Sequence, residues 1–382
     1  MSLSPALFLC LGGLIQNLTE VVFDLLLVRN KTNDGDDILS TCKTTLIAAL
    51  VILAAFAVTF AQDSGPKKLS PEQAGEIGRP AGRIAFHREG GVWVMNCDGT
   101  NQHIITNVEN GGGRLSFSGD DRIITFTRSG KVEAQAPTTG EGGMHRVYDL
   151  FTAYLDSADA GNTGWWLRLT DDFGSRAAEW SADGSKIVYS KDLNGHEAFP
   201  LGPNYQVVTI APDGSDYNIL RKDWANPGDE FLLMPSMNAK GDLAAVYYKE
   251  MKPVGFVVLS PDQYMLPMKD IDVLARRNFN YLAPSWSPDG KWIACVNNDI
   301  NKQALFITTP DTREKYLVCE PPAGTYIQTQ SPGWSPDSKW ITYATMDGSV
   351  WIVDITGNGQ RRISGPGLDS SPAWSKTKAM DK

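Results

Sequence analysis

The sequence Ser-Trp-Ser-Pro-Asp-Gly at residues 285–290 recurs elsewhere in this chain of 382 residues. It returns as Gly-Trp-Ser-Pro-Asp-Ser at residues 333–338 and as Glu-Trp-Ser-Ala-Asp-Gly at residues 179–184. Weaker copies extend the series, and the six anchor residues are Phe117, Trp180, Met237, Trp286, Trp334 and Trp374. Neighbouring anchors lie 40 to 63 residues apart, which brackets the length of a four-stranded propeller blade. The chain is therefore predicted to be an array of six similar units.

A tight turn and an alternating apolar run follow each of the strongest anchors. After Trp286 the run is Lys-Trp-Ile-Ala-Cys-Val at residues 291–296, and alternation with period two predicts a β-strand. In the intervening turn, proline presets φ, aspartate bonds its own backbone and glycine accepts a positive φ. A second hairpin follows in each unit, as at residues 348–364. Four antiparallel strands per unit, and hence an all-β fold, are predicted.

These repeats resemble the TolB-like six-bladed β-propellers, whose blades carry the phrase Trp-Ser-Pro-Asp-Gly-Lys and an Asp-Gly hairpin. The resemblance covers residues 83–375 and is clearest in the units anchored at Trp286 and Trp334. The first unit lacks the strand that should precede residue 84, and residues 371–375 supply a matching one. We therefore expect the C-terminal strand to pair with the N-terminal blade, because closure removes open sheet edges.

The N-terminal region carries a targeting pattern. Lys43 precedes an uncharged stretch at residues 44–60 that is rich in Ala, Leu, Val and Ile and is followed by Ala61. This order predicts a secretory signal within residues 1–61, cleaved after Ala61, and a periplasmic or secreted protein. An uncleaved helix that anchors the chain is the alternative. Whether residues 1–42 are translated stays open.

Residues 62–82 are interpreted as a linker, and residues 83–382 as the propeller. TolB itself has an α/β domain before its propeller, whereas here a stand-alone propeller is expected. The mature protein is expected to be monomeric and to lack a membrane span.

Charge and composition argue against several classes of function. The formal net charge of -9 argues against nucleic-acid binding. The four histidines show no metal-ligand spacing, and the chain contains no Gly-x-Ser-x-Gly nucleophile motif. No catalytic residue, metal ligand or cofactor is therefore predicted. A cation held in the channel by backbone carbonyls stays open, because such a site leaves no side-chain pattern.

Function is expected where the units differ, because the repeated positions must satisfy the same packing in every blade and the anchors are interpreted as structural. Loops that join second to third strands, or one blade to the next, should emerge on one face with two insertions, residues 129–144 and 192–204. The candidate binding residues on that face are Asp171, Asp172, Arg176, Asp192, His196, Arg276, Arg277, Tyr281, Tyr326, Gln328 and Asp369.

Two functional hypotheses follow from these patterns. The first is a non-enzymatic propeller that binds a protein or a cell-envelope polymer through its loop-rich face. The second is a carbohydrate-binding or carbohydrate-active, lyase-like propeller that uses Arg276, Arg277, Tyr281 and Tyr326. The resemblance includes oligogalacturonate lyases, which use a histidine cluster with a metal, and the sequence shows no comparable cluster.

Overall fold

The computed structural model describes residues 67–107, 110–135, 142–156, 165–193, 204–222, 230–250, 252–271, 281–297, 303–330 and 332–379. These residues form six antiparallel sheets whose first strands contact one another in a ring around a central channel. The predicted six-bladed β-propeller is thus confirmed. No helix in these ranges has the length and apolarity that crossing a membrane requires.

The strands have the following bounds, in chain order: β1 (Arg83–Arg88), β2 (Gly91–Asn96), β3 (His103–Thr106), β4 (Gly111–Phe117), β5 (Ile123–Gln135), β6 (Gly142–Tyr154), β7 (Trp166–Arg168), β8 (Ser175–Trp180), β9 (Ile187–Asp192), β10 (Tyr205–Ile210), β11 (Asn218–Lys222), β12 (Glu230–Met237), β13 (Leu243–Lys249), β14 (Lys252–Leu259), β15 (Tyr281–Trp286), β16 (Ile293–Asn297), β17 (Ala304–Thr308), β18 (Lys315–Cys319), β19 (Gly333–Trp334), β20 (Trp340–Thr345), β21 (Ser349–Asp354), β22 (Arg361–Arg362) and β23 (Ser370–Trp374). From the channel outward, blades 1 to 6 are β23-β1-β2-β3, β4 to β7, β8 to β11, β12 to β14, β15 to β18 and β19 to β22.

Blade 1 is built from both ends of the propeller sequence, as predicted. Strand β23 pairs antiparallel with β1, and Ile84 lies opposite Trp374 in the register. The hydroxyl of Ser375 accepts a hydrogen bond from the backbone N–H of Arg83 at 2.9 Å. This pairing closes the ring and covers the edge that β1 would otherwise expose.

Three paired strands of blade 4 are described, and two 3-10 helices, Pro261–Gln263 and Met268–Asp270, follow them. This segment is held from blade 3, because the buried Arg221 guanidinium donates to the carbonyls of Tyr264 and Leu266, both at 3.0 Å. The side chain of Tyr264 packs in the same apolar cluster as blade 4 itself. The segment thus packs against both blade 3 and blade 4.

The innermost strands share a β-bulge just before the anchor. A register shift occurs there in β4, β8, β12 and β15. Each bulge contains a residue with positive φ, and the same feature recurs in β23; these residues are Gly113, Ala177, Met234, Ala283 and Ser371. A bulge changes the direction in which the neighbouring backbone carbonyls and side chains point. The carbonyls of Pro235 and Pro284, which follow two of these residues, consequently reach a side chain in the channel.

The anchors and their turns explain why the repeated phrase recurs. Five anchors are buried, and Met237 is partly buried. The Trp334 indole N–H donates to the carbonyl of Ser285 in the preceding blade at 3.0 Å. In the turn, Asp289 accepts from the Ser287 hydroxyl at 2.7 Å and from the Lys291 backbone N–H at 3.1 Å. In the repeated phrase, the tryptophan therefore packs between blades and the aspartate stabilises the turn.

Residues 67–82 pack on the propeller. They are the described part of the segment that was interpreted as a linker. They contain helix α1 (Pro71–Ala74), and the side chain of Leu69 is buried. The Trp340 indole donates to the carbonyl of Gly78 at 3.0 Å, and the Trp374 indole donates to that of Ala81 at 2.8 Å. The compact unit accordingly begins at residue 66. The predicted signal sequence lies outside the described residues.

Candidate binding site at the channel mouth

The two faces of the ring carry different connections. Antiparallel order places the turns that follow the anchors on one face, and places the connections from second to third strands and from blade to blade on the opposite face. We name the second of these the insertion face. The first predicted insertion lies there as a continuation of β5 and β6, which stay paired from Ser129 opposite Tyr148 to Gln135 opposite Gly142. The insertion is thus an extended hairpin rather than an irregular loop.

The second predicted insertion is described only at its base. Asp192 is buried at the end of β9, and its carboxylate accepts from the backbone N–H of Asn204 at 2.9 Å. Residues 194–203 lie outside the described ranges.

A buried arginine crosses the channel. Arg114 on β4 donates to the carbonyls of Pro235 at 2.6 Å and Pro284 at 2.8 Å, and its Nη1 lies 2.7 Å from Oε2 of Glu179. The other carboxylate oxygen of Glu179 accepts from the hydroxyl of Ser236 at 3.1 Å. One side chain therefore connects blades 2, 3, 4 and 5.

Electrostatics explains why this arginine comes with a glutamate. Burial lowers the pKa of Arg114, and the Glu179 carboxylate opposes that shift. A cation bound to the carbonyls of Pro235 and Pro284 would have to displace this guanidinium. The guanidinium thus supplies the positive charge at the point where these two carbonyls converge, and Glu179 balances that charge.

Sequence reasoning missed this pair, although the repeats contain a signal for it. The residue directly before the anchor is Ser116, Ser236 or Ser285 in three blades, glycine or alanine in two more, and Glu179 in blade 3. This position faces the channel. The other five blades have a small residue there, and blade 3 has a charged one. Aligning the repeats by their anchors would have identified Glu179.

Arg114 separates two cavities. The cavity of about 210 Å³ on the anchor-turn side is lined by all six anchors. The cavity of about 470 Å³ opens towards the insertion face, and we name it the chamber. The chamber is lined by Asn110, Gly111, Gly112, Gly113, Arg114, Thr127, Ser129, Tyr148, Arg176, Ala177, Met234, Thr329 and Gln330. Its volume falls in the range of small-molecule sites.

Arg176 is the candidate residue that the structure places in the chamber. Its guanidinium carbon lies 4.4 Å from the ring centroid of Tyr148 and 4.9 Å from that of Tyr205. Tyr205 is buried, and burial raises the pKa of its hydroxyl, whereas the Arg176 charge lowers it. The two rings fix the position of the cation through cation–π contacts.

A groove of about 380 Å³ adjoins the chamber along blade 2. Asn110 and Ser129 line both spaces, so the two are adjacent. The rest of the groove is lined by Arg128, Gly130, Lys131, Val147, Asp149, Phe151, Trp166, Arg168 and Phe173. The one carboxylate in this set accepts from Arg168 at 2.8 Å and from the backbone N–H groups of residues 172 and 173. The groove is therefore aromatic and basic.

The predicted aspartates near blade 3 have partners of their own. Asp171 is exposed and forms an ion pair with Arg168. Asp172 accepts from the hydroxyl of Ser175 at 2.7 Å and lies 2.9 Å from Nζ of Lys191. Among the described residues, no cluster of His, Cys, Asp and Glu has an arrangement suited to a metal ion.

The remaining candidates are dispersed. Asp369 is buried and accepts a bidentate pair of hydrogen bonds from Arg88, at 2.6 and 2.8 Å. Gln328 donates to the carbonyl of Thr345 at 3.0 Å, while Tyr326 is exposed. Tyr281 begins β15, and its side chain is outside the description. His196, Arg276 and Arg277 also lie outside the described residues.

No protein-family model matches this chain, and a comparison with curated proteins gave no match. Among solved structures, TolB from Acinetobacter baumannii is 16% identical with a TM-score of 0.57, covering 78% of this chain and 67% of that chain. A putative TolB from Agrobacterium tumefaciens is 12% identical with a TM-score of 0.47, covering 75% of this chain and 90% of its own. Oligogalacturonate lyase from Vibrio parahaemolyticus is 10% identical with a TM-score of 0.42, covering 71% and 70%.

Identities this low bear on the fold alone, and only the first of these likenesses is close enough to support it. It agrees with the six anchors, the ring of six sheets and the blade that joins both ends of the repeat region. The described part of the chain is a six-bladed β-propeller, and its fold is similar to that of TolB.

Proposed function

We propose that this protein is a non-enzymatic propeller that binds a protein or a cell-envelope polymer on its insertion face. The observation that carries the proposal is that the chamber and the groove lie next to each other and share Asn110 and Ser129 as lining residues. Together they offer an elongated surface that begins at the channel and runs along blade 2. An extended partner suits such a surface better than a compact one.

The charge of this surface favours an acidic partner. Arg128, Lys131, Arg168 and Arg176 line it, although the whole chain carries a formal charge of -9. Asp149, the carboxylate among the groove residues, is already bonded to Arg168. Complementary charge contributes to the rate and specificity of association.

Aromatic side chains extend the surface to the edge of blade 2. Trp165 is 70% exposed, and Trp166 and Leu167 beside it are also exposed. The Trp166 ring packs edge-on against Phe151 in the groove, with centroids 5.3 Å apart. Exposed groups of large apolar residues mark interaction sites, and tryptophan is frequent among the residues that dominate binding.

The proposed setting is the periplasm or the extracellular space, with the mature chain as a monomer. The basis is the basic, apolar and small-residue order that ends at Ala61. Sequencing the N-terminus of the purified mature protein tests it. A terminus at residue 62 supports cleavage, whereas retention of residues 44–60 supports the anchored alternative.

Crosslinked affinity capture from the cell-envelope extract tests the binding proposal. Two variants remove parts of the surface: one replaces residues 132–145 by an Asn-Gly turn, and the other is Trp166→Ser. Arg122→Gln is the matched control, because Arg122 is exposed and pairs with Asp156 away from the insertion face. We expect partner capture to fall in both surface variants and to persist in the control. If the two surface variants capture as much partner as the Arg122→Gln control, the proposal is refuted.

A carbohydrate-binding or lyase-like function is the second candidate. It is favoured by the tyrosine rings around Arg176 and by the hydroxyl and amide groups of Thr127, Thr329 and Gln330 in the chamber. Turnover of oligosaccharides that is abolished by Arg277→Ala would favour this candidate over the first.

A further inference from the structure

We propose that the chamber binds the carboxylate of a small organic acid and that Arg176 is the residue that recognises it. This inference deepens the proposed function and rests on the insertion face being a binding surface. It assigns a specific chemistry to the inner end of that surface.

The orientation of Arg176 is fixed before any ligand arrives. The rings of Tyr148 and Tyr205 both lie within 5 Å of its guanidinium carbon. Tyr205 is buried and packs against Phe231, with ring centroids 5.1 Å apart, so that it cannot move freely. A guanidinium held beside two aromatic rings keeps its N–H donors in a fixed position, and a pair of these donors matches both oxygens of a carboxylate. Preorganisation of this kind lowers the entropic cost of binding.

Among the described residues Arg176 has no carboxylate partner, unlike three other arginines of the propeller. Arg114 pairs with Glu179, Arg88 with Asp369, and Arg168 with Asp149. Within the described ranges no ion pair of Arg176 is found. Its Nε is buried without a hydrogen-bond partner and is out of a ligand's reach, so a carboxylate would have to bind the Nη groups. A positive charge without a partner of opposite charge favours the binding of an anion.

The charge balance of the chamber fits one carboxylate. Arg114 and Arg176 both line it, and Glu179 neutralises Arg114 at the inner end. One positive charge is left, which a single carboxylate balances, whereas a phosphate carries more than one negative charge. Ser129, Thr329 and Gln330 line the same space and provide hydroxyl and amide groups for the rest of the molecule.

The first test measures binding of four monocarboxylic acids to the full chain by calorimetry: acetate, propionate, lactate and benzoate. The neutral amides of propionate and benzoate, and inorganic phosphate, are the comparison ligands. We expect at least one acid to bind and its amide to show no binding. Arg176→Gln should weaken binding by about tenfold or more, since a charge-assisted hydrogen bond is lost. Arg176→Lys should also weaken it, because the bidentate geometry is lost. Arg122→Gln should bind as the unaltered protein does.

The second test uses the unaltered protein, so it does not depend on the folding of a variant. Phenylglyoxal modifies accessible arginines, and mass spectrometry locates the modified residues. We expect the bound acid to protect Arg176 and to leave the modification of Arg122 unchanged. The proposal would be overturned if none of the four acids binds or protects Arg176. It would also be overturned if Arg176→Gln binds an acid as tightly as the unaltered protein does. Equal protection by phosphate would replace it with a general anion site.

The hairpin variant separates this inference from the proposed function. Replacing residues 132–145 keeps Tyr148, Ser129 and Arg176, so acid binding should persist while partner capture falls. Acid binding with no partner in the extract would contradict only the proposed function. Partner capture without acid binding would contradict only this inference.

Discussion

Nη1 of Arg114 lies 2.7 Å from Oε2 of Glu179 inside the channel, and both side chains are largely buried. The guanidinium also bonds two carbonyls of blades 4 and 5, while the carboxylate accepts from Ser236. A single ion pair therefore links the innermost strands of four blades. Such a pair is costly to break from one side, because the remaining charge keeps its burial and loses its partner.

Glu179→Gln should destabilise the propeller. The substitution preserves shape but leaves Arg114 charged and uncompensated, and we expect the free energy of unfolding to fall by about 3 to 5 kcal/mol. Urea denaturation followed by tryptophan fluorescence measures this. The double variant Arg114→Met/Glu179→Gln should lose less than the sum of the two single variants, because it removes both charges. Strict additivity, or a loss below about 1 kcal/mol in Glu179→Gln, would contradict the role assigned to the pair.

Asp369→Asn should weaken the closure of blade 1. Asp369 is 1% exposed and accepts both hydrogen bonds from Arg88, so the amide would leave part of the guanidinium without an acceptor. Because Arg88 is partly exposed, we expect a loss of about 2 kcal/mol rather than the full cost of breaking a buried pair. Thermal unfolding of this variant beside Asp98→Asn measures the effect. Asp98 is an exposed hairpin residue in the same blade, and equal melting temperatures for the two variants would contradict the expectation.

Removal of the C-terminal strand should have a larger effect. A chain that ends before Pro372 loses most of β23 and the backbone pairing of Trp374 with Ile84. We expect an unfolded or aggregated product, because the edge of β1 becomes open. Size-exclusion chromatography and a melting curve measure this outcome. A truncated protein that stays monomeric with an unchanged melting curve would show that closure is dispensable.

His87 should make stability depend on pH. Burial lowers the pKa of this histidine to about 4, against the opposing effect of the backbone at Gly91 and Gly112. The unfolded chain has a pKa of about 6.5, so the folded state favours the neutral ring. This contribution is complete above about pH 6.5 and is lost as the pH falls towards 4, by up to about 3 kcal/mol.

Denaturation in urea between about pH 7 and 4.5 measures the contribution of His87. His87→Leu should flatten the profile in this window. His103→Gln is the control, because His103 lies on β3 of the same blade and is less buried. Parallel profiles for His87→Leu and the unaltered protein would exclude His87 as the source.

The three described cysteines should be unreactive in the folded protein. Cys97, Cys295 and Cys319 are free and buried, and burial raises the pKa of the thiols to about 11, 12 and 12. At about pH 8 less than ~1% of each is thiolate, the reactive form. A Cys10→Ser/Cys42→Ser chain should therefore react with a thiol reagent only after denaturation. Rapid reaction in the native state would contradict the burial of these residues.

Much of the fold was predictable because local chemistry repeats. The Ser-x-Asp turns bond their own backbone, as Asp289 and Asp183 do, so each copy encodes a hairpin without help from distant residues. Even closure could be predicted, since a strand was missing at one end and a matching strand was present at the other. The extra strand length of β5 and β6 was not predicted, because residues 129–144 are rich in glycine, alanine and charged residues, which are depleted in strands.

The candidate site was predicted less completely. Arg176 was among the residues expected to bind, but its place in the chamber depends on Tyr148 and Tyr205, which come from different blades. Asp369 was expected on the same face, and its carboxylate is bonded to Arg88, which lies 281 positions away in the sequence. Such partners are joined by blade closure and not by any local pattern.

The sequence alone determined the number of blades, the turns after the anchors and the strand that completes blade 1, because each of these depends on residues that are neighbours in the chain or on a repeat that is simply counted. The tertiary structure decided which side chains meet in the channel. Arg114, Glu179, Pro235 and Pro284 come from four blades, and only the closed ring brings them within hydrogen-bond distance. The repeats mark Glu179 as unusual, but its pairing with Arg114 is set by the geometry of the whole ring, which no local pattern in the sequence encodes.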